Sequence, residues 1–268
     1  TGVLSPQISG DGEAKGHERT NNDLAPLCCR APLRGGQGGK QDHPHPQSLW
    51  FAHGKIDGLD FWHDPEAKVR ANRILGMASG EGRGWLEMES SWSGPSDREV
   101  FSDRRRIDFF KRGSAWGLDF SITLEAGGDG LVFGDTKEGT FALRLAAELV
   151  ADQGGTLVNS EGNRGKVAWG QRSRWVMASG ELSRGPAAVA VMDHPGNPRH
   201  PTPWHARTYG LVAANPFGLH AFEGAPEGSG RIEIPPGESL QFRWRVVLFP
   251  EIPAAEKVET LFLDFANS

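Results

Sequence analysis

The chain has 268 residues, a net charge of -5 at pH 7 and a hydrophobic fraction of 37%. This length permits one large domain or two small ones. The acidic balance argues against a nucleic-acid partner, because a basic surface usually provides that binding. No apolar run reaches the roughly 18 residues of a membrane helix, so we expect no membrane span and a soluble protein of the cytoplasm or periplasm.

The composition favours many short strands around an aromatic core. The 36 glycines and 18 prolines follow no fixed period, which indicates frequent turns. Nine Trp and 14 Phe supply large apolar side chains. The only cysteines, Cys28 and Cys29, are adjacent, and we expect two free thiols rather than a disulfide or a zinc site.

Residues 1–40 are rich in Gly, Pro and charge, and we predict an irregular N-terminal segment there. A single domain is expected over residues 41–268. Hydrophobic alternation with period two indicates strands that bury one face, and their spacing favours antiparallel hairpins. The clearest strand segments are 48–54, 84–92, 105–110, 115–124, 131–133, 141–146, 174–178, 187–192 and 239–249.

Three further segments are predicted to form a central strand, a strand or helix, and a short helix. The nearly continuous apolar run 187–192 predicts a central strand buried on both faces. Residues 141–151 also fit a helix through their Ala, Leu and Glu content, which we keep as the alternative to a strand. Residues 254–265 are predicted to form a short amphipathic helix.

The segment 193–209 combines three histidines, two arginines, a Trp and the only Tyr with four prolines. Prolines at this density exclude a helix and remove backbone donors from a sheet. We therefore predict an ordered loop that holds polar side chains in place, as binding loops do. The apolar run 210–218 is predicted to continue as a strand into the core.

Four blocks of sequence resemble a family of soluble bacterial proteins labelled PmoA-like or methane oxygenase PmoA. They are residues 42–54, 133–139, 158–162 and 193–218. The resemblance spans about residues 41–250. It implies an all-β fold, a large antiparallel β-sandwich similar to galactose-mutarotase-like supersandwiches. One departure is Pro46, because the family's usual His-Pro-His-His reads His-Pro-His-Pro here.

Eight of the nine histidines fall in two windows, 43–63 and 194–220, at predicted strand ends. We expect the two windows to meet in one pocket, because a random distribution of histidines along the chain would rarely place eight of nine in two short segments. Imidazoles there act as proton carriers or as metal ligands. The alternative is that each histidine only forms hydrogen bonds within its loop.

A divalent metal is the cofactor that such a cluster would bind. His43 and His45 are two residues apart, so on a strand they share one face. With His200 from the second window they are the candidate metal ligands.

The candidate catalytic residues are histidines and turn carboxylates. Glycoside hydrolysis requires two carboxyl groups, one protonated and one ionised. The set predicted for acid–base work is His205, His194, Glu138, Glu161 and Asp193. The alternative for each carboxylate is to cap backbone amides in its turn, and Lys137 with Glu138 also fits a solvated ion pair.

Aromatic and polar side chains near these residues are predicted to contact the substrate. His205, Arg207 and Tyr209 alternate and share a face of a strand. Trp204, between a proline and a histidine, is the Trp best suited to stack on a sugar. The predicted substrate-binding set is Trp50, His53, Trp204, Arg207, Tyr209 and Asn215.

Three classes of function fit these features. The first is a carbohydrate-active enzyme, a glycoside hydrolase or a sugar lyase or epimerase, acting on a small-molecule or oligosaccharide substrate in a sandwich cleft. The second is a metal-dependent oxidoreductase that uses the histidines. The third is a non-catalytic sugar-binding module, which needs the aromatic residues but not the clustered histidines.

Overall fold

The structure is a computed structural model, and it describes residues 48–268. The predictions for residues 1–40, for the cysteines and for His43 and His45 lie outside this range. None of the helices in the described range has the length and apolarity to cross a membrane.

Fourteen strands and two α-helices occur in the described residues. In chain order they are β1 (Leu49–His53), β2 (Lys68–Gly80), β3 (Arg83–Ser93), β4 (Glu99–Arg112), β5 (Ala115–Glu125), β6 (Leu131–Phe133), β7 (Gly139–Arg144), β8 (Thr156–Asn159), β9 (Trp175–Leu182), β10 (Gly185–Asp193), β11 (Trp204–Arg207), β12 (Leu211–Ala214), α1 (Leu219–Glu223), β13 (Ile232–Ile234), β14 (Ser239–Phe249) and α2 (Ala255–Ala266). Residues 147–153 form two 3₁₀ turns after β7, so the helix considered for residues 141–151 is not present.

The strands form two main sheets and one small pair. Eight strands are ordered β2-β3-β4-β5-β14-β10-β9-β8, four are ordered β1-β7-β12-β11, and β13 pairs with β6. Every pairing between the named strands is antiparallel. The predicted all-β antiparallel sandwich is therefore confirmed, and β10 is the central strand expected from its apolar run.

The eight-stranded and four-stranded sheets pack against each other around an aromatic core. Phe141 of β7 stacks on Trp244 of β14 with ring centroids 4.6 Å apart, and Phe51 of β1 lies 5.9 Å from Trp92 of β3. Aromatic pairs of this kind contribute about 0.5–1.5 kcal/mol beyond the area they bury. The strand β2 lies outside this core, and its Met77 is 65% exposed.

The predicted C-terminal helix is confirmed as α2, which covers the outer face of the eight-stranded sheet. Its buried residues Val258, Phe262 and Phe265 pack with Met192 and Val247 of the sheet. The candidate site lies on the outer face of the four-stranded sheet, where the ring of Phe222 in the short helix α1 lies 6.0 Å from that of His205.

Candidate functional site

Alternation along β11 places a histidine and an arginine on the outer face of the four-stranded sheet. Trp204 is fully buried in the core, so His205 and Arg207 point to the opposite side. His205 pairs across the sheet with Ala213, which pairs with Ala142. Small side chains beside His205 leave space above the sheet.

A cavity of about 220 Å³ occupies this space. It is smaller than the roughly 300–1,000 Å³ of pockets for drug-sized ligands, so it suits one small unit such as a single sugar ring. Its lining residues are Trp62, His63, Lys137, Glu138, Arg144, His205, Arg207, Tyr209 and Leu211.

One wall is the turn after β1, which Asp60 organises. Its carboxylate accepts hydrogen bonds from the backbone N–H groups of Trp62 and His63 at 2.8 and 2.9 Å. It also lies 3.0 Å from Nδ1 of His63. Trp62 is buried against Trp50, Ala142 and other residues of the outer face, so the turn is fixed to the sheet.

The opposite wall is the loop 134–138 before β7, which two side chains fix to the sheet. Nδ1 of His205 lies 2.9 Å from the carbonyl oxygen of Lys137, and Nδ2 of Asn215 donates to the carbonyl oxygen of Thr136 at 3.0 Å. The next peptide group is held as well, because the N–H of Gly54 donates to the carbonyl oxygen of Glu138. These bonds set the position of the Lys137 and Glu138 side chains.

The hydrogen bond to Lys137 also fixes the tautomer of His205. A carbonyl oxygen only accepts, so Nδ1 carries the proton and Nε2 is left with a lone pair. Burial lowers the pKa of His205 from 6.5 to about 4, although the charge of Glu138 and the Lys137 carbonyl oppose that shift. At neutral pH the imidazole is therefore uncharged and able to accept a proton at Nε2.

Charged groups surround this imidazole unevenly. Glu138 is the one carboxylate among the cavity-lining residues, and Nζ of Lys137 lies 2.6 Å from its Oε1. Arg144 and Arg207 both approach the ring of Tyr209, with their guanidinium carbons 5.6 and 5.4 Å from its centroid. The ring of Tyr209 is therefore in contact with both guanidinium groups.

Of the residues predicted as catalytic or substrate-binding, the structure brings His205, Glu138, Arg207 and Tyr209 together in this cavity. Trp50 lies beside them, with its ring 5.4 Å from that of Trp62, but does not line the cavity.

Three residues predicted to bind substrate are buried elsewhere. Trp204 packs in the core and donates from Nε1 to the carbonyl oxygen of Ser173, so it cannot stack on a ligand. Asn215 is buried and braces the loop of the opposite wall. His53 is buried between Phe133 and Phe217, with Nε2 2.8 Å from the carbonyl oxygen of Gly134.

Asp193 organises the proline-rich loop rather than the cavity. It is buried and accepts hydrogen bonds from Nδ2 of Asn197 at 2.7 Å and from the N–H of Thr202, while Nδ1 of His200 lies 2.8 Å from its Oδ2. Burial raises the pKa of Asp193, and these hydrogen bonds oppose the rise. The predicted ordered loop is present, and its carboxylate has a structural role.

Two histidines of the second window, His194 and His200, face α2 instead of the cavity. His200 stacks on Phe262, and His194 meets Phe265 edge-on at 4.9 Å. Burial and the charge of Arg243 lower the pKa of His194. Glu161 lies on the turn after β8, 3.9 Å from Arg174. None of these residues lines the cavity that contains His205.

The expected convergence of the histidines in one pocket is thus not found in the described residues. His53 lies in the core, His205 on the outer face of one sheet, and His194 and His200 under the helix on the other sheet. Within residues 48–268 no group of three His, Cys, Asp or Glu side chains is arranged to hold a metal ion. His200 is engaged with Asp193, and the proposed partners His43 and His45 fall outside the described range.

Five cavity residues were absent from the predicted site: Trp62, His63, Lys137, Arg144 and Leu211. Two of them left a signal in the sequence. His63 belongs to the first histidine window, and Lys137 sits beside Glu138 in a turn between strands. Arg144 lies within the predicted strand 141–146, and only its pairing opposite Leu211 brings it to Arg207.

A larger cleft of about 640 Å³ lies between β2, β3, β4 and Arg245. None of the predicted site residues lines it. Its buried cation Arg245 is already bound to Asp119 at 2.6 Å and to Asp264 at 3.0 Å. This cleft therefore offers no unused chemical group comparable to His205.

Residues 32–263 match the model of a family of unknown function, DUF6807. This finding overturns the PmoA-like resemblance, because the matching model is that of DUF6807 and no PmoA family matches. No curated protein matches the chain.

Solved structures with a similar fold include carbohydrate-active enzymes. A glycoside hydrolase family 97 enzyme from Pseudoalteromonas sp. strain K8, in complex with acarbose, is 9% identical with a TM-score of 0.42, over 76% of this chain and 30% of that one. A galactose mutarotase related enzyme from Lactobacillus acidophilus is 10% identical with a TM-score of 0.28, over 68% and 73%. The chain thus spans less than a third of the length of the family 97 enzyme, and these likenesses concern the fold alone.

Proposed function

The chain belongs to DUF6807, a family of unknown function, and we propose from the residues of the cavity that the protein is a carbohydrate-active enzyme that transfers a proton on a sugar. One observation carries the proposal. His205, uncharged and anchored through Nδ1, lines a cavity the size of one sugar ring together with the carboxylate of Glu138.

The residues support a division of roles. Nε2 of His205 accepts a proton from a hydroxyl or a carbon of the sugar, and the imidazolium returns it later in the cycle. Glu138, held by Lys137 and by its own backbone, accepts hydrogen bonds from sugar hydroxyls and is the second group able to carry a proton. Trp62 supplies the apolar surface against which the ring packs.

Among carbohydrate-active enzymes, an epimerase or lyase fits these residues better than a glycoside hydrolase. Hydrolysis by the common mechanisms uses two carboxyl groups about 5–10 Å apart. Glu138 is the single carboxylate lining the cavity, and Glu161, the predicted partner, does not line it. Proton transfer at a sugar carbon needs only a base and an acid.

The test uses a variant that keeps the structural bond of His205. In His205→Asn the side-chain amide replaces Nδ1 as donor to the Lys137 carbonyl, while the base at Nε2 is removed. Neutral and acidic monosaccharides and oligosaccharides are incubated with the protein in D₂O. Proton NMR then follows deuterium incorporation, epimers and unsaturated products.

We expect the natural protein to turn over at least one sugar of the panel and His205→Asn to be slower by about 10²–10⁴-fold. Glu138→Gln is expected to lower the rate as well. Full activity of His205→Asn, with folding checked by circular dichroism, would contradict the assigned role. Sugar binding without turnover by the natural protein would favour the sugar-binding module instead.

A further inference from the structure

The imidazole of His205 borders the cavity and also contacts two aromatic rings. The ring of Trp169 lies edge-on to it with centroids 6.4 Å apart, and the ring of Phe222 lies edge-on at 6.0 Å. These two rings also meet each other edge-on at 5.4 Å. Neither lines the cavity, so together they form an aromatic wall over parts of the imidazole that the cavity leaves uncovered.

The backbone beside Trp169 fixes its half of the aromatic wall to the sheet. Trp169 follows the 3₁₀ turn Gly165–Ala168. The N–H of the next residue, Gly170, donates to the carbonyl oxygen of Trp204 at 2.8 Å. Since Trp204 directly precedes His205 in β11, this bond holds the indole beside the imidazole.

Close packing of α1 fixes the other half, Phe222. A Cβ atom at Gly218 would lie 2.5 Å from the ring of Phe222, and one at Gly170 would lie 3.2 Å from its carbonyl oxygen. Nε of Arg172 lies 2.5 Å from Oε1 of Glu223, which joins α1 to the segment that carries Trp169. The two glycines and this ion pair therefore hold both rings against His205.

The aromatic wall excludes water from the imidazole. Nε1 of Trp169 is buried and has no hydrogen-bond partner within residues 48–268. A polar group that water could reach would find a partner there, and buried polar groups rarely lack one. His205 itself is only 3% exposed. The surroundings of this histidine away from the cavity are therefore apolar and dry.

A dry environment disfavours the charged form of an imidazole, because the imidazolium loses its hydration. Burial is the largest cause of the lowered pKa of His205. The charge of Glu138 opposes the shift, whereas the charges of Arg207 and Lys137 add to it. The other titratable groups on the elements that carry the wall are His220, Glu223 and Lys166.

We propose that Trp169 and Phe222 are positioning residues of the site, whose aromatic wall keeps water away from His205 and so keeps its imidazole uncharged beside the cavity. The wall acts only through His205. Its effect on turnover rests on the proposed function, but the protonation of His205 can be measured without any substrate. His205 then remains able to accept a proton in mildly acidic solution, where an ordinary histidine is mostly charged.

NMR titration of the imidazole resonances tests the wall. The signals of His205 are those missing from the spectrum of His205→Asn. We expect His205 of the natural protein to stay uncharged from pH 8 down to about pH 5, and His205 in Phe222→Ala to take up its proton about one pH unit higher or more.

Further variants separate the wall from general effects of mutation. Trp169→Ala should shift the titration in the same direction, and both residues are half-buried, so folding can be checked by circular dichroism. Phe222→Leu keeps an apolar side chain and should restore most of the natural behaviour. Phe109→Ala removes an exposed aromatic ring of β4 and is the matched control, with no expected shift. An unchanged titration of His205 in both Phe222→Ala and Trp169→Ala would overturn the inference.

The pH profile of turnover distinguishes this role from a merely structural one. At pH 8 the imidazole is uncharged with or without the wall, so Phe222→Ala should be close to the natural protein in rate. As the pH is lowered, the rate of Phe222→Ala should begin to fall about one pH unit earlier, because the base becomes protonated. An equal loss of rate at every pH would contradict the role assigned to the wall.

The outcomes for protonation and for turnover are distinguishable. A raised pKa of His205 in the alanine variants of a protein that turns over no sugar would support the inference and contradict the proposed enzymatic function. Turnover that His205→Asn abolishes, with the titration of His205 unaffected in both alanine variants, would support the function and contradict the inference.

Discussion

Residues 204 and 205 are neighbours in sequence and lie on opposite faces of one sheet. Both were predicted to belong to the site, because both lie near the end of the proline-rich segment 193–209. β11 begins at Trp204, however, and from there alternation sends Trp204 into the core and His205 to the cavity. A shift of one residue in the start of this strand would exchange the two roles.

The buried histidine of the core has a consequence for stability that can be measured. Burial lowers the pKa of His53 from 6.5 to about 4, while the Gly134 carbonyl, Asp60 and Asp135 oppose that shift. Between pH 6.5 and 4 the unfolded chain therefore binds the proton that the folded His53 does not. The free energy of unfolding therefore decreases as the pH is lowered from 6.5 to 4, by about 1.4 kcal/mol per pH unit for this residue.

We expect His53→Gln to reduce the slope of the free energy of unfolding against pH by about 1.4 kcal/mol per pH unit between pH 6.5 and 4. Urea denaturation at several pH values measures this slope. The glutamine amide retains a donor for the Gly134 carbonyl. Ile56→Val is the matched core control, because it lowers stability by about 0.5–1.5 kcal/mol without removing a titrating group. An unchanged slope in His53→Gln would show that this histidine does not contribute.

At the scale of elements, α2 depends on three buried side chains of a 12-residue helix. Phe265 is fully buried and lies against His194, Arg243 and Arg245, with its ring centroid 4.8 Å from the guanidinium carbon of Arg245. Leu263, two residues earlier, is 52% exposed on the other side of the helix.

We expect Phe265→Ala to lower the free energy of unfolding by about 3–5 kcal/mol, because it empties a site that the sheet and its arginines enclose. Leu263→Ala is expected to change it by less than about 0.5 kcal/mol, since it removes an exposed side chain. Urea denaturation of both variants measures the difference. Similar values for the two would mean that the helix is not packed as described.

The strands were largely predictable because the alternation of apolar and polar residues within each strand reflects which of its side chains are buried. In β14 the residues Phe242, Trp244 and Val246 alternate toward the core, and this period of two is visible in the sequence. Sheet partners were not predictable, since Phe141 and Trp244 meet across 103 residues of chain with no local signal.

The candidate site was predictable to the extent that it lies within one segment. His205, Arg207 and Tyr209 were placed together by their spacing, whereas Trp62 and Arg144 reach the cavity only through the turn of Asp60 and the pairing of β7 with β12. The prediction that the two histidine windows meet in one pocket was wrong for the same reason. Composition shows which residue types are enriched in a segment. Only the topology decides which face of which sheet each of those residues reaches.

At the scale of the whole molecule, the two sheets share one core. The core cluster contains residues from β1 and β7 of the smaller sheet and from β5, β10 and β14 of the larger one. Phe141 and Trp244 stack across it almost in parallel, at an angle of 1°. Separating the sheets would expose both inner faces to water, so each sheet depends on the other to bury its inner face.

We therefore propose that residues 41–268 form a single domain that unfolds as one unit. A chain that begins at residue 41 is expected to show one thermal transition, with equal calorimetric and van't Hoff enthalpies and the same midpoint as the full chain. Phe141→Ala in the smaller sheet should lower the midpoint of that one transition, whether it is followed by Trp fluorescence or by circular dichroism. Two separate transitions, or a shift seen by only one probe, would mean that the sheets unfold independently despite their common core.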